Sequence, residues 1–417
     1  MEAASVHSAA RRCYGHELDA VRGMPPRDIS IAVIGGGIGG LTAAISLLQA
    51  GFDVQVYEQA RWLSEVGAGI NIGPNASRLL IRLGLDPELA KVAFRSPFFH
   101  QRRWQDGRTL TRTPLGQAIE AEFGAPHYIF HRGELHAALA KVVPTERVHL
   151  AHRCVEIRQH DDRVEARFEN DVVTTADVLV GADGIHSTIR RALLGPERPR
   201  FACRAYRGLI PAERVSDIPA DSTAWLGPGR HFVHYFVSAG RLLNFVGHVE
   251  GEDWISESWT EPGDVADLHM AYKGWHPQVE RIIDAVDETF IWAVLDREPL
   301  TRWSFGRVTM LGDTCHPMLP FMGQGGAQAI EDAAALTACL LRCSDEVEAL
   351  KLYEVVRLPR ASQIQAMSWE NKTRFHMPDG PRQVERDAAM AKGMTDWSYL
   401  AIAWLYGHDA GNLPAAT

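Results

Sequence analysis

The 417-residue sequence predicts an α/β fold, and three observations support this class. An apolar strand at 29–34 leads directly into a glycine-rich turn and a helix-forming segment. Two further apolar strands, at 177–180 and 307–311, each run into a Gly-Asp pair, as expected at the carboxyl edge of a parallel sheet. Between about 200 and 300 the chain becomes aromatic and alternating, which indicates a separate sheet.

The composition excludes several classes of protein. A hydrophobic fraction of 46% with 23% charged residues excludes a disordered, collagenous or coiled-coil chain. The net charge of −9 and the absence of about 18 consecutive apolar residues predict no nucleic-acid partner and no membrane partner. Six scattered cysteines predict reduced thiols and a cytoplasmic location. Cys339 and Cys343 are interpreted as buried small side chains, so no metal is expected.

The first strand and turn have the features of a dinucleotide site. Gly35, Gly37 and Gly40 follow the strand in G-x-G-x-x-G spacing, and a helix-forming segment and a second strand ending at Glu58 come next. Such glycines permit a tight turn and close approach of a pyrophosphate, while the helix N-terminus attracts its charge. An acid at the end of the second strand suits a ribose. This order predicts a Rossmann-like site and leaves NAD or FAD open.

The two later Gly-Asp pairs contain Asp183 and Asp313. A carboxylate at the end of a parallel strand lies in the crevice where open α/β sheets bind ligands. Each pair taken alone is equally compatible with an ordinary turn or a helix N-cap.

Taken together, these motifs resemble the single-component (class A) flavoprotein aromatic hydroxylases, and most resemble the branch of salicylate hydroxylase and 6-hydroxynicotinate 3-monooxygenase. The resemblance extends from Ile31 to Leu336. Its segments are IAVIGGGIGGLTAAISL, VGAGINIGPNASRLL, HRGELHAAL, VLVGADGIHSTIR, GWHPQV and GRVTMLGDTCHPMLPFMGQGGAQAIEDAAAL.

The resemblance implies a p-hydroxybenzoate-hydroxylase-like architecture. Residues 28–200 and 300–375 would form a discontinuous FAD-binding domain, and 200–300 an inserted β-sheet for the substrate. Residues 376–417 would form a helical C-terminal segment. Residues 1–27 are predicted to be a disordered tail.

The resemblance also implies FAD as the bound nucleotide. NADH or NADPH would be a transient co-substrate, since no second G-x-G-x-x-G occurs. Arg132 would reach the ribityl–pyrophosphate region, and the helix opened by Gly325 would direct its N-terminus at the flavin. The implied FAD-binding residues are Gly35, Gly37, Gly40, Glu58, Gln59, Arg132, Cys154, Asp183, Gly312, Asp313, Gly325, Gly326 and Ala327.

The implied reaction is hydroxylation of a small hydroxylated aromatic or pyridine carboxylate, with or without decarboxylation, by NAD(P)H and O₂ through a flavin C4a-hydroperoxide in a dry pocket. A base beside the substrate is expected, and His231 and Tyr235 are candidates because they share one face of a strand. A core-facing aromatic strand explains them equally well. Pro317 would line the oxygen site.

Asn71 departs from the pattern, because the pyridine-hydroxylating relatives carry a His at this position. Asn cannot titrate near neutral pH, so Asn71 would orient the substrate by hydrogen bonds.

Two alternatives stay open at this point. One is a flavin-dependent halogenase or epoxidase, although the halogenase W-x-W-x-I-P run is absent. The other is a non-catalytic flavin-binding regulator. The oligomeric state is expected to be a monomer or a homodimer.

Overall fold

The computed structural model describes residues 28–63, 68–251, 261–393 and 399–413. The tail predicted at 1–27 lies outside the described residues. The described chain is a mixed α/β structure with two large sheets, which confirms the predicted fold class.

Strands and α-helices follow one another along the described chain. The strands are β1 (Ser30–Ile34), β2 (Asp53–Tyr57), β3 (Gly69–Ile72), β4 (Phe98–Arg103), β5 (Thr109–Pro114), β6 (Tyr128–His131), β7 (Val148–His149), β8 (Cys154–Gln159), β9 (Val164–Phe168), β10 (Val173–Ala176), β11 (Val178–Gly181), β12 (Arg200–Pro211), β13 (Ser222–Gly227), β14 (Arg230–Val237), β15 (Leu242–Val249), β16 (Glu261–Gly263), β17 (Thr289–Asp296), β18 (Ser304–Phe305) and β19 (Val308–Met310). The helices are α1 (Ile38–Gln49), α2 (Pro74–Arg82), α3 (Asp86–Val92), α4 (Gln117–Phe123), α5 (Arg132–Ala140), α6 (Thr188–Leu194), α7 (Val265–Ala271), α8 (Pro277–Ile283), α9 (Gly325–Arg342), α10 (Glu346–Phe375), α11 (Pro381–Ala391) and α12 (Tyr399–Tyr406).

The first sheet has the strand order β18-β19-β11-β1-β2-β7. Its pairs are parallel except for β18 with β19. From β1 the chain moves to β2 on one side, while β11 and β19 lie on the other. The three predicted motif strands are therefore neighbours, and their carboxyl ends meet at the switch point where such sheets bind ligands.

The second sheet has the order β16-β17-β12-β15-β14-β13-β4-β5. Its centre is the predicted hairpin of β14 and β15, which turns at 238–240, where Ser238, Ala239 and Gly240 have φ of +53°, +55° and +88°. Alternate residues of β14 face opposite sides, because side chains alternate along a strand. Phe232 thus packs in one core cluster, while its neighbour His231 lines a cavity on the other side.

The second sheet also contains strands from the range 28–200, which the sequence-based division assigned to the FAD-binding domain. Strands β4 and β5 belong to it, because β4 pairs in parallel with β13. Their sequence, FFHQRR and TLTRTP, mixes polar and apolar residues and does not show which sheet they join. The segment 376–417 contains α11 and α12.

None of the described helices is long and apolar enough to cross a bilayer. The five cysteines between 154 and 343 are free thiols. Cys339 within α9 is fully buried, as predicted, whereas Cys343 is only half-buried.

Candidate active site

The turn after β1 has room only for glycine at two positions. Gly35 has a φ of +114°, and a Cβ there would overlap the carbonyl oxygen of Ala182. A Cβ at Gly40 would overlap the carbonyl oxygen of Gly35 itself. Helix α1 begins directly after Gly37, which has no side-chain cap, so its first N–H groups are open to a ligand. This bare backbone cradle fits the pyrophosphate of a dinucleotide.

Glu58, the residue after β2, is hydrogen-bonded to the backbone of this turn. Its Oε2 accepts a hydrogen bond from Gly36 N at 2.6 Å, and its Oε1 accepts one from Ala60 N at 2.8 Å. Gln59 beside it is exposed. The buried His136 on α5 also stabilises the turn, through a 2.7 Å hydrogen bond between its Nε2 and Gly36 O. Sequence reasoning missed this residue.

The two Gly-Asp turns lie next to each other at the ends of β11 and β19. Half-buried Asp183 accepts hydrogen bonds from the Ser187 hydroxyl and from Thr188 N, the latter at 2.7 Å. Asp183 therefore accepts from the first N–H groups of α6, whose N-cap residue is Ser187. The Thr314 hydroxyl, 3.4 Å from the same carboxylate, links the two turns, and Asp313 is exposed beside it.

Helix α9 starts at Gly325, as predicted, and packs closely on β3. A Cβ at Gly326 would approach Ile70 Cδ1 to 2.7 Å, and Ala327 is fully buried. Gly312 has a φ of +60°, and its N–H donates to Asp332 of α9 at 2.9 Å. The helix N-terminus is thereby held near the ends of β1, β11 and β19.

Arg132 and Cys154 flank this region. Arg132 is the first residue of α5, and its backbone N donates to Ala68 O at 2.8 Å. Cys154 begins β8, and burial raises the pKa of its thiol to about 12. The family resemblance implies that the backbone at Cys154 lies beside the FAD adenine, and a thiol that stays protonated is consistent with that role.

A cavity of about 170 Å³ lies between one face of the second sheet, strand β3 and the segment that precedes α9. Three predicted residues, His231, Tyr235 and Asn71, line it together. Pro317 is buried outside this lining, where its carbonyl accepts a hydrogen bond from Gln365, whereas Pro320 faces the cavity. The walls are mostly apolar and include Phe99, Val233, Val246, Trp292, Phe321 and Phe375.

Tyr235 is a hydrogen-bond donor in this cavity. Burial raises the pKa of its hydroxyl, although a hydrogen bond with the Asn71 side chain opposes this shift. The ring can lie here because residue 69 is glycine, whose Cβ position would lie 2.7 Å from the Tyr235 hydroxyl. A phenol that stays protonated orients a ligand and is a poor base.

His231 and His248 form a stacked pair in the cavity wall, with ring centroids 4.3 Å apart and an angle of 11° between the rings. Burial lowers the pKa of His231 well below its usual value and that of His248 to about 3. Both rings are therefore neutral at neutral pH, the state in which an imidazole accepts a proton. Within the described part of the chain, neither ring nitrogen of His248 has a hydrogen-bond partner. Sequence reasoning missed His248.

Arg207 on β12 is a second residue that sequence reasoning missed. It is 2% exposed, lines the cavity, and lies over the Trp292 ring with Cζ 4.7 Å from the centroid. Burial and the nearby charge of Arg132 lower its pKa to about 10. Among the lining residues that the structure describes, Arg207 is the one with a full charge at neutral pH. Its signal in the sequence is an arginine within the otherwise apolar run AYRGLI.

Charged side chains are also buried behind α9, and they form ion pairs. Arg357 of α10 donates to Glu331 at 2.6 Å and to Asp332 at 2.8 Å. Cys315, His316 and Asp332 lie within 4.8 Å of one another, a spacing that could hold a metal. Asp332 is already hydrogen-bonded by Arg357 and by His316, the latter at 2.6 Å, so we assign the group to the ion-pair network.

Comparisons with known proteins agree with this geometry. Residues 28–368 match the family model described as FAD binding domain. The chain is 41% identical over 387 residues to a 3-amino-4-hydroxybenzoate 2-monooxygenase of Streptomyces platensis, covering 91% of this chain and 96% of the relative. It is 36% identical over 392 residues to a 6-hydroxynicotinate 3-monooxygenase of Pseudomonas fluorescens, covering 92% and 96%.

Among solved structures, HpxO of Klebsiella pneumoniae with FAD and uric acid superposes with a TM-score of 0.80 at 27% identity, covering 91% of this chain and 96% of that one. The chain therefore belongs to the FAD binding domain family. It is an FAD-dependent aromatic-ring monooxygenase, which confirms the resemblance and the choice of FAD over NAD. None of these relatives is named as a halogenase, an epoxidase or a regulator.

Proposed function

We propose that this enzyme hydroxylates a small hydroxylated aromatic or pyridine carboxylate, with NADH or NADPH and O₂ as co-substrates. The substrate class is inferred from Arg207, a buried guanidinium in a mostly apolar cavity. A planar guanidinium matches a carboxylate in geometry and charge, and a bound anion would stabilise it. The relatives named above act on 3-amino-4-hydroxybenzoate and 6-hydroxynicotinate, which both carry a hydroxyl and a carboxylate.

The proposed roles follow from the cavity. FAD, when bound, supplies the redox chemistry that activates O₂; the turn at 35–40 and the start of α9 would hold it. Arg207 binds the substrate carboxylate, and the Tyr235 hydroxyl, bonded to Asn71, donates to the ring substituent. Neutral His231 accepts the proton of the ring hydroxyl, which makes the ring more nucleophilic. The aromatic walls exclude water. A monomer or homodimer in the cytoplasm stays a prediction.

A panel of hydroxybenzoates and hydroxypyridinecarboxylates tests this proposal, with 3-amino-4-hydroxybenzoate and 6-hydroxynicotinate included. We expect at least one compound to accelerate NADH or NADPH oxidation and to gain one ¹⁸O atom from ¹⁸O₂, measured by mass spectrometry. A product that has also lost the carboxylate would establish decarboxylative hydroxylation. If every carboxylate in the panel yields only H₂O₂, the proposed substrate class is wrong.

Arg207→Met is expected to raise KM for the best hydroxybenzoate about 30-fold or more, because truncating one partner of a buried charge pair costs at least about 2 kcal/mol. The corresponding carboxamide, which lacks the anionic charge, should lose much less affinity. Steady-state kinetics with the matched pair of substrates measures the difference.

Arg200→Met is the matched control. Arg200 is on the same strand and also lies over a tryptophan, with Cζ 4.5 Å from the Trp369 centroid, but it is not among the cavity-lining residues. We expect KM to change less than about twofold in this variant. An equal rise in KM for carboxylate and carboxamide in Arg207→Met would assign Arg207 a packing role instead.

A further inference from the structure

A continuous line of hydrogen-bonded side chains runs from the cavity to the protein surface. His231 Nδ1 lies 2.6 Å from His376 Nε2, and His376 Nδ1 lies 3.0 Å from Glu250 Oε1. His231 is 1% exposed and His376 is 3% exposed, whereas the Glu250 side chain is 43% exposed. The line joins β14 to the residue after α10 and to the residue after β15, and it therefore connects the cavity with solvent.

The carboxylate at the outer end determines the protonation of both imidazoles. A carboxylate only accepts, so His376 must carry its proton on Nδ1 to donate to Glu250, which leaves Nε2 as an acceptor. His231 must then donate from its own Nδ1 to that Nε2. The remaining nitrogen of His231, Nε2, therefore keeps its lone pair on a ring that lines the cavity. Without Glu250, neither tautomer would be determined.

The charged and titratable groups around the line favour this arrangement. His376, from which Glu250 accepts a hydrogen bond, and the Lys372 ammonium 3.8 Å from the carboxylate lower the pKa of Glu250, so it stays an ionised acceptor. Burial lowers the pKa of His376 despite Glu250, and His231, Lys372 and Arg230 are the other groups that face it. Both histidines are thus neutral and can each accept one proton while releasing another.

Aromatic rings of the cavity wall pack around His231. The Phe321 and Phe375 rings lie steeply inclined to the imidazole, with centroids 4.9 Å and 5.3 Å from its centroid, and His248 stacks on the His231 ring. The hydrogen-bonded line gives a proton taken up by His231 a side-chain path to the surface.

We propose that His231, His376 and Glu250 form a proton relay that carries the proton of the substrate's ring hydroxyl to solvent, an inference that rests on the proposed function. The hydroxyl proton passes to His231 Nε2, and its O–H electron pair stays on the ring oxygen. The Nδ1 proton of His231 passes to His376 Nε2, the Nδ1 proton of His376 passes to Glu250, and Glu250 releases it to water. Reprotonation of the product hydroxyl runs the same steps in reverse and restores both tautomers. His376 and Glu250 are positioning residues that act through His231.

The first test needs no substrate. Long-range ¹H–¹⁵N spectra of the FAD-loaded enzyme with ¹⁵N-histidine report which nitrogen of each imidazole carries the proton. The signals of the two rings are identified by their loss in His231→Gln and His376→Gln. We expect both rings as Nδ1–H tautomers; a proton on His376 Nε2 would overturn the relay.

The second test measures solvent exchange of the two Nδ1 protons in the same spectra. Glu250→Gln keeps an oxygen that can accept the His376 bond but cannot take up a proton, so we expect exchange to slow about tenfold or more. Glu120→Gln is the matched control, because Glu120 is also ion-paired and its side chain is 44% exposed. Unchanged exchange in Glu250→Gln, or equal slowing in Glu120→Gln, would refute the relay.

These outcomes separate the relay from the proposed function. If the tautomers and exchange rates are as expected but no hydroxybenzoate or hydroxypyridinecarboxylate is hydroxylated, the proposed substrate class fails and the proton path stands. If a hydroxybenzoate is hydroxylated while exchange is insensitive to Glu250, the substrate class stands and the relay fails.

Discussion

Gly40→Ala is expected to raise the Kd for FAD at least about tenfold, which corresponds to a loss of at least about 1.4 kcal/mol of binding free energy, and so to retain less FAD through purification. The new methyl group would overlap the carbonyl oxygen of Gly35. Gly35 has little room to move, because even a Cβ built on it would overlap the Ala182 carbonyl oxygen. The turn must therefore shift, and the N–H groups at the start of α1 move with it. Flavin absorbance per mole of protein measures the loss.

Gly251→Ala is the matched control for this prediction. A Cβ at Gly251 meets no atom of the described residues within 4 Å, and Gly251 does not have a positive φ. We expect this variant to retain FAD at the natural level. If Gly40→Ala is equally yellow and binds FAD with unchanged Kd in a fluorescence titration, the glycine turn does not hold the cofactor.

Arg357→Met is expected to lower the free energy of unfolding by about 3–5 kcal/mol, because it removes the arginine from buried Asp332 and one of the two arginines from buried Glu331. Glu331, Asp332 and Arg357 are all fully buried. The Arg360 guanidinium still reaches Glu331, at 2.8 Å, but Asp332 then keeps only neutral donors and His316. Denaturant unfolding monitored by circular dichroism measures the change.

Arg163→Met is the control, since Arg163 pairs with Asp162 on the surface and should contribute less than about 1 kcal/mol.

The pH dependence of the stability gives a second check on the buried ion pairs of Arg357. Burial raises the pKa of Glu331, but Arg357 and Arg360 outweigh it and hold the value at about 2, against 4.5 when unfolded. The stabilisation is therefore complete above pH 4.5 and is lost as the pH falls toward 2. The free energies of unfolding of the natural protein and of Arg357→Met should therefore converge as the pH falls from 4.5 toward 2. A difference that stays constant over this range would contradict the role assigned to Arg357.

Much of the FAD-binding part was predictable because its signals are local. The turn at 35–40, the two Gly-Asp pairs and the start of α9 are each short motifs whose backbone conformation needs particular residues. The β14–β15 hairpin was equally predictable. Because side chains alternate between the two faces of a strand, His231 and Tyr235 were expected on one face. The confirmed class of enzyme depends on these motifs and their order.

Other site residues were beyond sequence reasoning because their partners are remote in the chain. His376 bonds to His231 across 145 residues, and Arg207 becomes a cavity residue only when β12 packs beside β15 and β17. Nothing in the local sequence separates His376 from a surface histidine, and the apolar run around Arg207 does not show that this side chain lines the cavity.

The sequence by itself determined the α/β class, the FAD turn and the family, because steric limits on glycine and strand periodicity act over a few residues. Only the tertiary structure decided which groups meet in the cavity, that β4 and β5 join the second sheet, and that the path from His231 ends at Glu250. Those features depend on long-range packing, in which burial changes the pKa of a histidine or an arginine without any change in its sequence neighbours.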